Sequence, residues 1–347
     1  MKFNYKNIDL PVVEVIPEIQ VKLTTDTTLI VKAPPGAGKS TLVPLTLMNE
    51  PWLKGQKILM LEPRRLAAKT IATRMADLLG EQIGESVGFR IRFENRAGPN
   101  TQIEVVTEGI LTRMIQQDNG LEGVGLVVFD EFHERSIHAD VAMALCREAQ
   151  QILRPDLRIM VMSATLDMPE LSAMLNASVV ISEGRQYPVE IIYSGESDMR
   201  LLPELAARVV KSALQKHEGD ILVFLPGQGE IRKCEEFLRN STKGVMIHPL
   251  YGQLSPNKQF AAIMPNREGK RKIVLATSIA ETSLTIEGVK VVVDSGFGRT
   301  SRFDPNSGLS RLETVQVSKD SADQRAGRAG RLSAGVCYRM WTLATQS

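Results

Sequence analysis

Short apolar runs, each closed by a polar cluster, recur along the chain. Leu29-Ile30-Val31, Lys57-Ile58-Leu59-Met60-Leu61, Ile103 to Val106, Leu126-Val127-Val128-Phe129 and Ile159-Met160-Val161-Met162 are too short for helices and predict buried strands. Between them, apolar residues three or four apart predict helices over Thr41 to Asn49, Leu66 to Leu79 and Asp140 to Leu153. The second of these puts Ile71, Met75, Leu78 and Leu79 on one face, with Gly80 as a stop. Leu10, Val13, Ile16, Ile19 and Leu23 predict an amphipathic helix before the first strand, although Pro17 counts against it. Val87 to Phe93 alternates apolar and basic residues, as a half-buried strand does. Buried strands alternating with helices predict the α/β class: parallel sheets joined by right-handed crossovers. The polar clusters then fall at the carboxyl ends of strands, where open α/β sheets bind ligands.

The pattern breaks at Ser182 to Pro188 and restarts with Ile221 to Leu225, Val245 to Ile247, Ile273 to Ala276 and Val291 to Asp294. Two domains are expected, residues 1–185 and 186–347. Turn residues Phe303 to Gly308, set between Arg302 and Arg311, predict a protruding hairpin. The 347 residues are 43% hydrophobic and 24% charged, so each half can bury its own core. A net charge of +2 requires any anion-binding surface to be local. Cys146, Cys234 and Cys337 lie far apart, show no metal spacing and fit free thiols in a reducing compartment. The N-terminus lacks a signal core and no run approaches the ~18 apolar residues of a membrane span, so a cytoplasmic protein without an anchor is expected.

Three clusters carry chemistry. Ala33-Pro34-Pro35-Gly36-Ala37-Gly38-Lys39-Ser40-Thr41 lies between a strand and a helix. Small residues there let backbone N–H groups and the helix N-terminus face a phosphate, with Lys39 reaching the terminal phosphates and Ser40 a magnesium ion. Ala33 occupies the position of the usual first glycine. Asp130-Glu131-Phe132-His133 follows the strand expected at Leu126 to Phe129; such paired carboxylates suit Mg²⁺ binding by Asp130 and water activation by Glu131. In Gln324-Arg325-Ala326-Gly327-Arg328-Ala329-Gly330-Arg331 the arginines recur every third residue. On a helix they share one face, suited either to a nucleotide's terminal phosphates or to a nucleic-acid backbone.

In this order, and over essentially the whole chain, these clusters resemble the DEAH-box helicases of superfamily 2, in the bacterial branch with Phe132 where most relatives have Ala. The resemblance implies two tandem RecA-like domains with mainly parallel sheets, an ATP-binding one and a helicase C-terminal one. It implies ATP and Mg²⁺ as cofactors, RNA or single-stranded DNA as partner, and a monomer. Gly36, Ala37, Gly38, Lys39, Ser40 and Thr41 match the nucleotide loop, and Ser40 and Asp130 the metal ligands. Glu131 matches the water-handling acid, and His133 and Gln324 the residues that connect the lobes across ATP. Arg328 and Arg331 match arginine fingers, and Arg74 a position that stacks on adenine. Ser163 and Thr165 match the motif coupling hydrolysis to movement. Arg64, Arg65, Arg92, Thr107 and Thr277 match positions that grip a nucleic-acid backbone, and Arg302 to Arg311 a strand-guiding hairpin. Ser278 departs from the usual Asn. After Trp341 the chain ends where relatives continue into winged-helix, ratchet and oligonucleotide-binding domains. The reading is therefore of a motor core alone, as a fragment or a short form. The implied activity is ATP-driven translocation on nucleic acid, or an ATPase switch without unwinding.

Overall fold

A computed structural model describes residues 3–134, 136–165, 168–185, 187–195, 198–239, 242–266, 268–281, 285–304 and 309–343. The chain divides into two compact units, Met1–Arg185 and Gln186–Ser347.

The first unit is built on strands β1 (Thr28–Lys32), β2 (Lys57–Leu61), β3 (Val87–Ile91), β4 (Glu94–Asn95), β5 (Ile103–Val106), β6 (Val124–Phe129), β7 (Arg158–Ser163) and β8 (Ser178–Ile181). They form one sheet in the order β4-β3-β5-β2-β6-β7-β1-β8. Only the β3–β4 pair is antiparallel. Helices α1 (Ile16–Thr25), α2 (Lys39–Leu47), α3 (Arg65–Leu79), α4 (Glu108–Gln117), α5 (Ile137–Glu148) and α6 (Met168–Leu175) connect or flank the strands. Two apolar clusters result, one with Leu29, Val31, Met60 and Val128, the other with Ile30, Leu59, Val127 and Val161. Alternate residues of the same strands divide between them, as sheet geometry requires for a sheet buried on both faces. Each fully buried aliphatic side chain contributes about 1.5–3 kcal/mol.

Several boundaries differ from expectation for local reasons. Pro17 sits in the first turn of α1 rather than interrupting it, where a missing N–H costs nothing. Residues expected to complete the Asp140–Leu153 helix leave α5 after Glu148 and form a π-helical turn, Ala149–Leu153. The strand expected to run to Phe93 ends at Ile91, because Arg92 and Phe93 turn the chain back into β4. Gly80, at φ 70°, closes α3 as a left-handed cap.

The second unit carries β9 (Val189–Tyr193), α7 (Leu202–Lys216), β10 (Asp220–Phe224), α8 (Gln228–Arg239), β11 (Met246–Leu250), α9 (Pro256–Ile263), β12 (Lys272–Ala276), β13 (Val289–Asp294), β14 (Phe297–Asp304), β15 (Leu309–Gln316), α10 (Lys319–Ala326) and β16 (Gly335–Arg339). Its parallel sheet runs β11-β12-β10-β13-β16-β9. Strands β14 and β15 pair antiparallel from Phe297↔Gln316 to Asp304↔Leu309. The expected turn at Pro305–Gly308 lies outside the described residues. Among the described residues no helix is long and apolar enough to cross a membrane.

Gly88 in β3 marks a close approach: an added Cβ would lie 2.5 Å from the Arg96 carbonyl oxygen and 2.8 Å from Ala97 Cα. Both are backbone atoms and have little room to yield. Gly88→Ala should lower stability by about 1–3 kcal/mol. Urea denaturation checks this, and an unchanged midpoint would contradict it.

Candidate active site

The loop after β1 shows why its first position tolerates alanine. Ala33 is buried and donates its N–H to the Ser163 carbonyl at 3.0 Å, prolonging the β1–β7 pairing. The left-handed conformations fall later, on Gly36 (φ 80°) and Gly38 (φ 89°). At Gly38 a Cβ would also meet Leu10 Cδ1 at 2.8 Å, so this position needs glycine twice over. Gly38 caps α2, which opens with Lys39, Ser40 and Thr41. Its first N–H groups have no partner within the helix, which suits an anion.

Lys39 is almost fully buried and donates from Nζ to Glu131 Oε1 at 2.7 Å. Burial pulls its ammonium pKa down, but Asp130, Glu131 and Glu62 outweigh this and hold it above the ordinary lysine value. Asp130, just past β6, is also buried, and its Oδ1 accepts the Glu131 N–H at 2.8 Å. Burial and the neighbouring Glu131 raise its carboxyl pKa, against the lowering pull of Lys39 and the Ser40 hydroxyl. Glu131 adopts φ 49°, a conformation uncommon for a side chain of its size. Such strain persists only where the surroundings fix it, and here Lys39 and Asp130 do so. His133 joins the cluster to β7. Its Nε2 lies 3.3 Å from Glu131 Oε2, and its Nδ1 lies 3.3 Å from Ser163 Oγ and 3.5 Å from the Ala164 N–H. Thr165 is exposed, and its N–H reaches Ser163 Oγ at 3.4 Å. Phe132 is buried edge-on to Phe129, their ring centres 6.1 Å apart.

Sequence reasoning assigned no role to Glu62, yet it is fully buried at the end of β2. Burial, with Asp130 and Glu131 beside it, pushes its carboxyl pKa well above the ordinary range. Its signal in the sequence was a carboxylate closing an otherwise apolar strand.

Arg64 caps α3 and pairs with Glu134 at 3.4 Å. Arg65 is exposed, Arg74 is half-buried on α3, and Thr107 caps α4. Arg92 is exposed in the β3–β4 turn. Arg90 is held by the buried Glu104 at 2.9 Å.

In the second unit, the arginines spaced by three do not share a helix face. The helix ends at Ala326 with Gly327 as its cap, so Arg328 and Arg331 lie in the following turns. Arg325 points inward, pairing with Asp294 at 2.9 Å and Glu281 at 3.0 Å and covering the Phe224 ring at 4.9 Å. Burial raises the Asp294 pKa, while Arg325 and the Gly296 N–H oppose the rise. Glu281 also accepts from Ser321 Oγ at 2.5 Å, and its backbone carbonyl accepts from the buried Arg328. Arg331 reaches Thr285 Oγ1 at 3.3 Å, and Gln324 is exposed. Thr277 caps the short turn Ser278–Ala280, with Ser278 exposed.

Residues 13–174 match the DEAD/DEAH box helicase family, and residues 201–333 match the helicase conserved C-terminal domain. The chain belongs to the DEAD/DEAH-box helicases. It is 52% identical over 333 residues to the ATP-dependent RNA helicase HrpB of Escherichia coli, covering 95% of this chain and 41% of that protein. It is 38% identical over 341 residues to the ATP-dependent RNA helicase HrpA of Borreliella burgdorferi, covering 96% and 41%. A crystal structure of the E. coli DEAH/RHA helicase HrpB superposes with a TM-score of 0.80 at 50% identity, covering 98% of this chain and 44% of that one. A second, of the E. coli DExH-box NTPase HrpB, gives 0.70 at 51%, covering 96% and 42%. This helicase chain thus spans about two fifths of the length of these curated relatives.

Removing one partner of a buried ion pair leaves a charge stranded. Arg325→Met should therefore destabilise the second unit by about 3–5 kcal/mol. Thermal unfolding measures this, and a wild-type melting temperature would show that Asp294 and Glu281 do not depend on Arg325.

Proposed function

We propose that the chain is the ATP-hydrolysing motor of a nucleic-acid helicase, acting on RNA or single-stranded DNA. The observation that carries this is the buried Lys39–Glu131 pair, set beside Asp130 at the N-terminus of α2. Residues 1–185 serve as the ATP-binding domain and residues 186–347 as the helicase C-terminal domain.

In this reading Gly36, Ala37, Gly38, Lys39, Ser40 and Thr41 surround the β- and γ-phosphates with N–H groups and one ammonium. Phosphate oxygens compete with Glu131 for Lys39, so nucleotide binding frees the Glu131 carboxylate to orient water. The donor set fits Mg²⁺. Glu62, Asp130 and Glu131 crowd a single lysine, and Ser40 and Asp130 offer hard oxygen ligands. Mg²⁺ would be held by Ser40 and Asp130 and would neutralise charge on the phosphate oxygens. Arg328 and Arg331 act as arginine fingers on the transferring phosphoryl group, with Gln324 and His133 placing the groups around it and Arg74 on adenine. His133 passes the state of Glu131 to Ser163, at the end of β7, and through it to Thr165. Arg64, Arg65, Arg92, Thr107 and Thr277 hold a strand by its backbone. The cell compartment proposed is the cytoplasm, and the protein a monomer.

Steady-state ATPase assays and nucleotide-binding titrations test the assignment. Glu131→Gln should bind ATP and lose turnover by about 10²–10⁴-fold, as expected for a missing general base. Lys39→Ala should lose turnover as well. A normal rate in either variant would contradict the site. Arg328→Ala should keep most ATP affinity and lose about 10³-fold or more in hydrolysis, as arginine fingers do. Collapsed affinity with a normal rate per bound ATP would remove the finger role.

A further inference from the structure

The segment that joins the two units is docked at both of its ends. Its upstream end belongs to the first unit. The Ser182 N–H donates to the Lys32 carbonyl at 2.8 Å, which carries the β1–β8 pairing up to the phosphate-cradling loop. Gly184 follows at φ 74°. A Cβ on Gly184 would lie 2.2 Å from Pro34 Cγ and 3.0 Å from Pro34 Cδ. The linker backbone thus rests on the ring of Pro34, whose carbonyl accepts the Ala37 N–H of the same loop at 3.2 Å.

Arg185 fastens this contact from outside. It pairs with Asp9 and, at 3.2 Å, with Glu14. Those two acids bracket a segment that itself holds the loop. The Val12 N–H donates to the Ala37 carbonyl at 3.0 Å, and the Leu10 and Val12 side chains leave no room for a Cβ on Gly38.

The downstream end belongs to the second unit. There the chain continues as Tyr187-Pro188 and enters β9. The Tyr187 N–H donates to the Gly330 carbonyl at 3.4 Å, and the Pro188 carbonyl accepts the Gly335 N–H at 3.1 Å. Gly330 has no room for a side chain: a Cβ would lie 2.6 Å from Val189 Cγ2 and 2.8 Å from the Tyr187 carbonyl oxygen. Gly330 comes two residues after Arg328, so this end of the linker backs onto the turn that carries the proposed finger.

A connection that only keeps two units on one chain needs none of these contacts, and a flexible one tolerates added residues. Here a single residue, Gln186, separates the two docked stretches in sequence. One stretch rests on the loop proposed to hold the phosphates. The other rests on the turn that carries Arg328.

We infer that the linker is a positioning element of the ATPase, tying the turn that carries Arg328 to the phosphate loop. This rests on the ATPase reading above. The linker acts through Arg328 and not on the nucleotide itself, so its length matters to the rate and not to ATP affinity.

Inserting Gly-Gly after Arg185 lengthens the joint and leaves each docked stretch its own partners. In steady-state ATPase assays kcat should fall by about 10–10²-fold, the scale of an ångström-sized misplacement. Titration with a fluorescent ATP analogue should give the wild-type Kd. Each unit buries its own core and the joint is exposed, so the insertion should melt with the wild type. In an Arg328→Ala background the same insertion should leave kcat nearly unchanged, because the group it positions is gone. Asp9→Asn combined with Glu14→Gln takes two carboxylates from Arg185 without lengthening the chain. It should lower kcat in the same sense, by up to about fivefold, the worth of exposed ion pairs. A wild-type kcat after the insertion would overturn the positioning role, and so would an equal fold loss in the Arg328→Ala background. A normal rate in Arg328→Ala alone would remove the finger reading itself, and the linker's role with it.

Discussion

The Lys39–Glu131 contact is the constraint on which the first unit's chemistry depends. An ammonium and a carboxylate, 2.7 Å apart and almost out of water, tie the start of α2 to the segment after β6. Neither is stable alone at such burial, since an unpaired buried charge costs several kcal/mol. The pair also explains the left-handed Glu131, which must turn back toward the loop after β1 to reach Lys39. Three acids around one lysine leave a surplus of negative charge, seen in the raised Asp130 and Glu62.

The second unit uses buried charge differently. Arg325 satisfies Asp294 and Glu281, and so fixes α10 against the end of β13 and the turn after β12. Glu281 holds Arg325 through its carboxylate and Arg328 through its carbonyl. Thr277, a proposed strand contact, and Arg328, a proposed finger, therefore lie on two sides of one hydrogen-bonded network. Glu281 follows the turn that Thr277 caps, so that turn and the two arginines share one anchor.

Features whose cause is local were legible in the sequence. Short apolar runs became strands because burial on both faces leaves no polar positions, and Gly36 and Gly38 marked the cradle because only glycine suits their backbone there. The grouping of Lys39 with Asp130 and Glu131 followed from chemistry that needs all three. Features set by distant partners were not legible. Arg325 has the same spacing as Arg328, but Asp294, thirty-one positions away, draws it inward. Phe93 fitted the alternation of a strand, and nothing near it announced a turn, because its φ is positive without a glycine. Glu62 closes an apolar strand in the sequence, and only the fold places it beside Asp130.

The central claim is that hydrolysis at Lys39, Asp130 and Glu131 answers to a nucleic-acid strand. The most direct measurement is the wild-type ATPase rate as single-stranded RNA, and separately single-stranded DNA, is titrated in. The account predicts a saturable rise in rate with at least one of them, weakened by added salt as phosphate contacts are screened. A measurable rate that is indifferent to both strands at low salt would contradict it.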